Sequence, residues 1–308
     1  MFFQGKSLGL EIHQHGFAWV IASGSSALPV IERYEVVSSV DALLKPSIKE
    51  QNIINSASLG TMLSESWLKL LTETKRVSLS IPDLAGRVMM LDMDSPIKSK
   101  EEGIDQVKWK LKKSFPVELS ELHLDYHLLK TGQEGGATLL VALASRKVIN
   151  EYEELLLSLS LEPVKIDFAV FNLYRLFANS LEVDDQLAFL ISYRGVLSVM
   201  IFQDGILDFY RSKFISTALS DPVRLYREVN SSLLVYSDLK GGLKPRNIFY
   251  YAPLAERSLL SGVIFEATGV NPALVDTDAF IGSSNQQVDS GVLPDILSAL
   301  GAASRSLG

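Results

Sequence analysis

Apolar residues in LAFLISYRGVLSVMIFQDGILDFYRSKFI, positions 187–215, alternate or run together in three short segments separated by Gly195 and Gly205. Segments 187–193, 196–203 and 206–215 have strand length and β-branched or aromatic content, and the breaks supply residues that tolerate positive φ. The stretch predicts a three-strand antiparallel meander. The N-terminal KSLGLEIHQHGFAWVIASGSSALPVIERYEVV carries a shorter copy, with strands at 6–12, 17–22 and 28–37 broken at Gly16 and at 23–26. Two such meanders, each followed by helices, predict an internal duplication.

Between the copies, 41–58 is polar and reads as a loop with at most a short helix. TMLSESWLKLLTE (61–73) has helical spacing, with Met62, Trp67, Leu70 and Leu71 largely on one side. Strands follow at 76–81, ended by Pro82, and at 87–93. Ser99 stands three residues before Glu102, a capping-box spacing, ahead of a helix carrying Ile104, Val107, Leu111 and Phe115 that Pro116 ends. ELHLDYHLLK (121–130) alternates strictly, and GATLLVALAS up to Ser145 reads as a buried strand joined to it by a glycine-bearing turn. A helix with Val148, Tyr152, Leu155, Leu156 and Leu159, a short strand VKID and a helix FAVFNLYRLFANSL lead into the central meander. Beyond it comes the longest predicted helix, 221–240, with Pro222 in its first turn, Gly241 and Gly242 stopping it, and an apolar stripe of Val223, Tyr226, Val229, Leu233, Tyr236 and Leu239. RNIFYYA predicts a strand, AERSLLSGVIFEATG a helix, PALVDT a strand, 276–294 a long loop, and LPDILSALGAASR a closing Ala-rich helix. The order βββα…βα, given twice with extra elements between, is an α/β plan.

At 308 residues the chain has length for two domains, and 47% hydrophobic with 21% charged residues provides a sizeable core. A net charge of −7 argues against a nucleic-acid backbone as the main partner, which calls for a basic face. The basic cluster KWKLKKSF (108–115) is local; it reads as a solvated helix face, with a membrane-surface role as the sharper alternative. The absence of cysteine excludes disulfides, thiolate metal sites and cysteine nucleophiles, and fits a reducing compartment. No apolar run approaches the ~20 residues of a bilayer span, and the start MFFQGKS lacks a signal-peptide core, so a cytoplasmic protein is expected.

Two sets of residues invite a metal reading because alternate strand positions share a face: His13 with His15, and His123 with Asp125 and His127. Nothing else converges on them, and a structural site completes four ligands, so a solvated strand face is the expectation and no metal is assigned. Asp83, Asp92, Asp94 and Asp105 show no spacing that pairs carboxylates. GxxxxGK[ST] and GxGxxG are absent, and GVLSV and ASGSSA lack the glycine spacing of a nucleophile elbow.

The carrying stretches LGLEIHQHGFAWVIA, VSLSIPDLAGRVMMLDM, FPVELSELHLDYHLL, ATLLVALASRKVINEYEELLLSLSLEPVKIDFAVFNLYRLF, FQDGILDFYRSKFI and the closing DAFIG…LPDILSALGAASR run over nearly the whole chain. Through them the chain resembles the actin-like PilM proteins of type IV pilus assembly, and more distantly FtsA and the cytoplasmic part of type II secretion GspL proteins. The resemblance implies an actin-like (ribonuclease H-like) α/β fold of duplicated βββαβα lobes with an inserted FtsA/PilM-type subdomain. It implies a first lobe at 1–167 with the insertion at about 82–161, a second lobe at 168–308, and a closing helix 293–306 packed back on the first.

The resemblance also marks where this chain departs. The family's first phosphate hairpin reads roughly DIGSSS, so Glu11 stands for its acid while His13, Gln14 and His15 replace a glycine and two small polar residues. The second hairpin's DIG…T falls on Ile191, Ser192 and Tyr193, with Ser198 in the later position, and the adenine-side glycines fall near Ala252 and Pro253. A tyrosine where backbone must approach phosphate is a steric block, and loss of the second aspartate removes a Mg²⁺-water ligand or a water-positioning group. No catalytic residue and no cofactor is therefore expected. A divergent ATP-binding switch, with ATP and Mg²⁺, is the alternative that Glu11, Gly16 and Gly24 favour. The leading expectation is a non-catalytic scaffold at the inner face of the inner membrane, peripheral through its partner, that binds the N-terminal peptide of a PilN-like inner-membrane protein and other pilus or secretion platform proteins.

Overall fold

The computed structural model describes residues 5–112, 119–132, 135–181, 186–215, 221–282 and 288–307. Three sheets organise them. The first meander, β1 (Ser7–His13), β2 (Gly16–Gly24) and β3 (Pro29–Ser38), is extended by two parallel strands, β4 (Arg76–Ile81) and β8 (Glu162–Phe168), in the order β3-β2-β1-β4-β8. The central meander, β9 (Gln186–Tyr193), β10 (Val196–Gln203) and β11 (Ile206–Phe214), is extended by β12 (Asn247–Tyr251) and the two-residue β13 (Ala273–Leu274) in the order β11-β10-β9-β12-β13. The two orders are the same plan used twice. Between β4 and β8 the chain makes a separate sheet of β5 (Gly86–Met93), β6 (Leu122–Thr131) and β7 (Ala137–Ser145), ordered β5-β7-β6.

The strands form where alternation and turn chemistry agree. Both tight turns of the central meander pair a positive-φ residue with a glycine, Arg194 (φ 45°) with Gly195 (φ 78°) and Asp204 (φ 52°) with Gly205 (φ 75°). Positive φ at both central residues matches the right-handed twist of the flanking strands, which fixes the register Tyr193↔Val196.

Helices cover these sheets. α1 (Ser56–Lys69) and α3 (Arg146–Ser158) share one core with the first sheet, containing Leu8, Leu10, Trp19, Leu63, Val148 and Tyr152. α2 (Lys100–Leu111) packs Val107 and Leu111 on the three-stranded sheet. α5 (Pro222–Leu239) and α6 (Arg257–Thr268) cover the outer face of the second sheet. α4 (Ala169–Phe177) and α8 (Leu293–Ser304) lie in a core shared by both five-stranded sheets, which joins Ala18, Val20 and Ile31 to Phe189, Ile191 and Met200. α8 rests directly on β1: a Cβ on Gly9 would lie 2.0 Å from the Ala299 carbonyl oxygen, and Ser80 and Ser298 hydroxyls bond at 2.7 Å.

Several expectations change. α1 starts at Ser56 rather than 61, because Asn55 caps it by accepting the Ser58 N–H at 2.9 Å. The strand read as VKID is longer because all of β8 pairs with β4. α3 shares the first sheet's core, and the strands of the separate sheet lie within 86–145. The buried face of α5 is Leu225, Val229, Ser232 and Tyr236, and Val223 and Leu239 of the expected stripe are 64% and 69% exposed. The 276–294 loop contains a short helix, α7 (Asp278–Gly282). Ser99 caps α2 by accepting the Glu102 N–H at 3.2 Å, while Phe115 and Pro116 lie outside the described residues.

Candidate functional site

The tips of β1–β2 and β9–β10 face each other across the shared core, and the contact between them is made by side chains. Glu11, near the end of β1, is 1% exposed. The Tyr193 hydroxyl lies 2.9 Å from its Oε1 and 2.8 Å from its Oε2. Arg194, in the following turn, donates from Nε to Glu11 Oε1 at 3.1 Å and from Nη2 to Asp295 Oδ1 at 3.4 Å. Strand β1, the β9–β10 turn and the first turn of α8 are thereby tied through one carboxylate and one guanidinium. The Arg194 guanidinium also lies 5.1 Å from the centre of the Tyr193 ring, within cation–π range.

Electrostatics follow from burial. Burial raises the Glu11 pKa, against the Arg194 charge and the hydrogen bonds from Tyr193 and Arg194 that lower it. A buried carboxylate needs a charged partner and donors to remain ionised, and this one has both. His13 is half-buried, and burial, then the Arg194 charge, then His15 hold its pKa down to about 3. At neutral pH it carries no positive charge with which to attract an anion.

The other positions divide between core and solvent. Gln14 and His15 are exposed, so they do not fill the space between the tips as their bulk implied; their carbonyl oxygens accept the Leu43 and Ser39 N–H groups at 2.7 and 2.9 Å. Ile191 is buried in the shared core, and Ala252 in the core under α5 and α6, where its carbonyl accepts Arg257 Nε at 3.2 Å. Ser192 donates to Glu256 at 2.7 Å, and Ser198 bonds Ser212 at 3.3 Å. Among the described residues no three His, Asp or Glu side chains converge to hold a metal ion. Arg194, which its place at the second tip suggests as an attractor of anions, is instead spent on Glu11 and Asp295, and Asp295 is the residue that reasoning by aligned hairpins overlooked. Asp295 lies 101 positions from Arg194, and nothing local in the sequence reports that pairing.

A second feature lies between the three-stranded sheet and α4. A groove of about 620 Å³ is lined by Leu140, Ala142, Phe171 and Tyr174 together with Asp125, His127, Asp167, Arg175 and Arg305. Arg305 Nη1 bonds Asp167 Oδ2 at 2.8 Å, and Arg175 Nη2 lies 3.8 Å from the same oxygen. Arg175 Nε is buried with no hydrogen-bond partner among the described residues.

No protein-family model matches the sequence, and no curated protein matches it. Among solved structures, the chain is similar to one described as the PilM-PilN type IV pilus biogenesis complex, at 20% identity over 98% of each chain with a TM-score of 0.81. It is also similar to a Bacteroides thetaiotaomicron protein with an actin-like ATPase fold and unknown function, at 14% identity over 90% of this chain and 92% of that one, TM-score 0.56. A third likeness is to the cytoplasmic domain of EpsL, an inner-membrane component of the type II secretion system of Vibrio cholerae, at 10% identity over 96% and 94%, TM-score 0.51. With two sheets of identical strand order sharing one core, the chain has an actin-like fold.

Proposed function

We propose that this chain is a non-catalytic actin-like scaffold of a type IV pilus or related secretion platform. The observation that carries the reading is the Tyr193–Glu11–Arg194 contact. An actin-like nucleotide site needs backbone N–H groups of two hairpin tips within ~3 Å of phosphate oxygens. Here a phenol ring, a carboxylate and a guanidinium occupy the approach between the tips. The two lobes are bridged by the chain's own side chains, and no acid at Ile191 is present to hold a metal-bound water.

Partner binding is assigned to the groove beside α4. Its lining sets Leu140, Ala142, Phe171 and Tyr174 beside the guanidinium groups of Arg175 and Arg305 and the polar Asp125 and His127, which fits a short, partly apolar segment that offers a backbone carbonyl or carboxylate. The occupant we assign is the N-terminal cytoplasmic peptide of a PilN-like inner-membrane protein, which the likeness to the PilM-PilN complex supports. Among the described residues no helix is long and apolar enough to cross a membrane, and such a partner would hold the chain at the inner face of the inner membrane. Titration of labelled N-terminal peptides from membrane proteins encoded beside this gene tests the reading. Saturable binding that Arg175→Glu weakens at least tenfold supports it; no binder among those peptides overturns it.

A further inference from the structure

We infer that the C-terminal end of α2 is a contact surface for anionic lipid headgroups, with Trp109 as its aromatic anchor and Lys108 and Lys112 as its charges. α2 buries Gly103, Val107 and Leu111, which turns the opposite side to solvent. On that side Trp109 is 78% exposed. The other two tryptophans are packed: Trp19 is fully buried and donates to Ser66 at 3.0 Å, and Trp67 lies against the first sheet's core. An indole left in water is a large apolar surface without an internal role.

The charges beside it are available. Lys112 follows Trp109 by three residues and Lys108 by four, the two spacings that bring side chains together on a helix. Lys100 is taken by Asp125 at 2.8 Å, and Lys110 by Asp94 at 3.5 Å and by the Asp92 carbonyl. Among the described residues Lys108 and Lys112 have no ion-pair partner. Lysines in a last turn complement the helix dipole, which explains the charge but not the exposed ring. Of the three acids of the helix, Glu101 and Glu102 stand in its first turn, and Asp105 stands four residues before Trp109 on the same side. Because the whole chain carries −7, attraction to an anionic surface cannot be general and must come from such a local patch. An aromatic ring at headgroup depth with ammonium groups reaching lipid phosphates is the arrangement of interfacial protein surfaces. The inference assumes nothing about the groove beside α4.

The full chain is sedimented with vesicles of equal parts phosphatidylglycerol and phosphatidylcholine, and with pure phosphatidylcholine, while tryptophan emission is followed. Partition to the anionic vesicles alone is expected, with a blue shift that Trp109→Phe removes while retaining most of the partition. The double variant Lys108→Gln with Lys112→Gln lowers the partition about thirtyfold, since each lysine near such a surface contributes about fivefold. Far-ultraviolet circular dichroism establishes that the variants keep the fold. Absence of partition, equal partition to neutral vesicles, an unshifted emission, or a double variant that binds like the parent overturns the inference.

Discussion

Tyr193 presents one hydroxyl to both oxygens of a carboxylate that has almost no contact with water. Tyr193→Phe keeps the ring and deletes only that donor, leaving Glu11 with Arg194 alone, and hydrogen bonds to charged groups contribute about 1.5–3 kcal/mol. A loss of about 2 kcal/mol in unfolding free energy is expected in a urea titration, and a neutral outcome would mean that the bond does not hold the tips. Asp83 gives a pH test. Its Oδ1 accepts the Val170 N–H at 3.2 Å, and burial, against that bond, pushes its carboxyl up to about 7 from an ordinary 3.8. The folded pKa lies above the unfolded one, so its favourable contribution is complete below pH 3.8 and is lost as pH rises towards 7. His13 acts in the opposite sense, contributing fully above its ordinary 6.5 and losing that contribution as pH falls towards about 3. Asp83→Asn, which can still accept from Val170, is therefore expected to exceed the parent in stability above pH 7 and to lose that advantage near pH 4. Denaturant midpoints at the two pH values check it. Glu11 could be singled out from the sequence because it stands at the place of the family's acid, and Tyr193 because it is too bulky for a phosphate tip, but that they bind each other could not, being 182 positions apart.

Strands were more legible than helix faces, and the reason is local. The turns at Gly195 and Gly205 follow from nearest neighbours, so the three central strands fall within one residue of their expected limits. The buried side of α5 depends on where the second sheet and α6 lie, and apolar residues on several of its sides let the stripe be drawn through Val223 and Leu239, both exposed. α8 was legible as an Ala-rich helix; that its backbone lies on a glycine of β1 was not. A Cβ at Gly9 would also come within 2.8 Å of the Ala303 nitrogen, and one at Gly301 within 2.1 Å of the Asn172 carbonyl oxygen, so α8 is wedged between β1 and α4 with no slack. Gly9→Ala must push α8 off the sheet, and overpacking of this kind costs about 1–3 kcal/mol or more. Thermal unfolding of Gly9→Ala should show a lowered Tm; an unchanged midpoint would contradict the close seating of α8.

At the scale of the molecule, the core around α4 and α8 and the Glu11–Tyr193–Arg194–Asp295 contact join the two duplicated sheets, and Lys130 of β6 ties the three-stranded sheet to β11 by reaching Asp208 at 2.5 Å. The duplication itself could be read from two meanders with the same punctuation, because each meander is a local pattern. The shared core could not, since its members come from elements far apart in the chain. If the Glu11, Tyr193, Arg194 and Asp295 side chains have taken over the bridging place of a nucleotide, the chain binds none. Isothermal titration of Mg-ATP into the intact protein tests that claim most directly. No saturable heat is expected up to ~1 mM ligand, which bounds the binding free energy at about −4 kcal/mol; saturable micromolar binding by the unaltered chain, not improved by Tyr193→Gly, would contradict it.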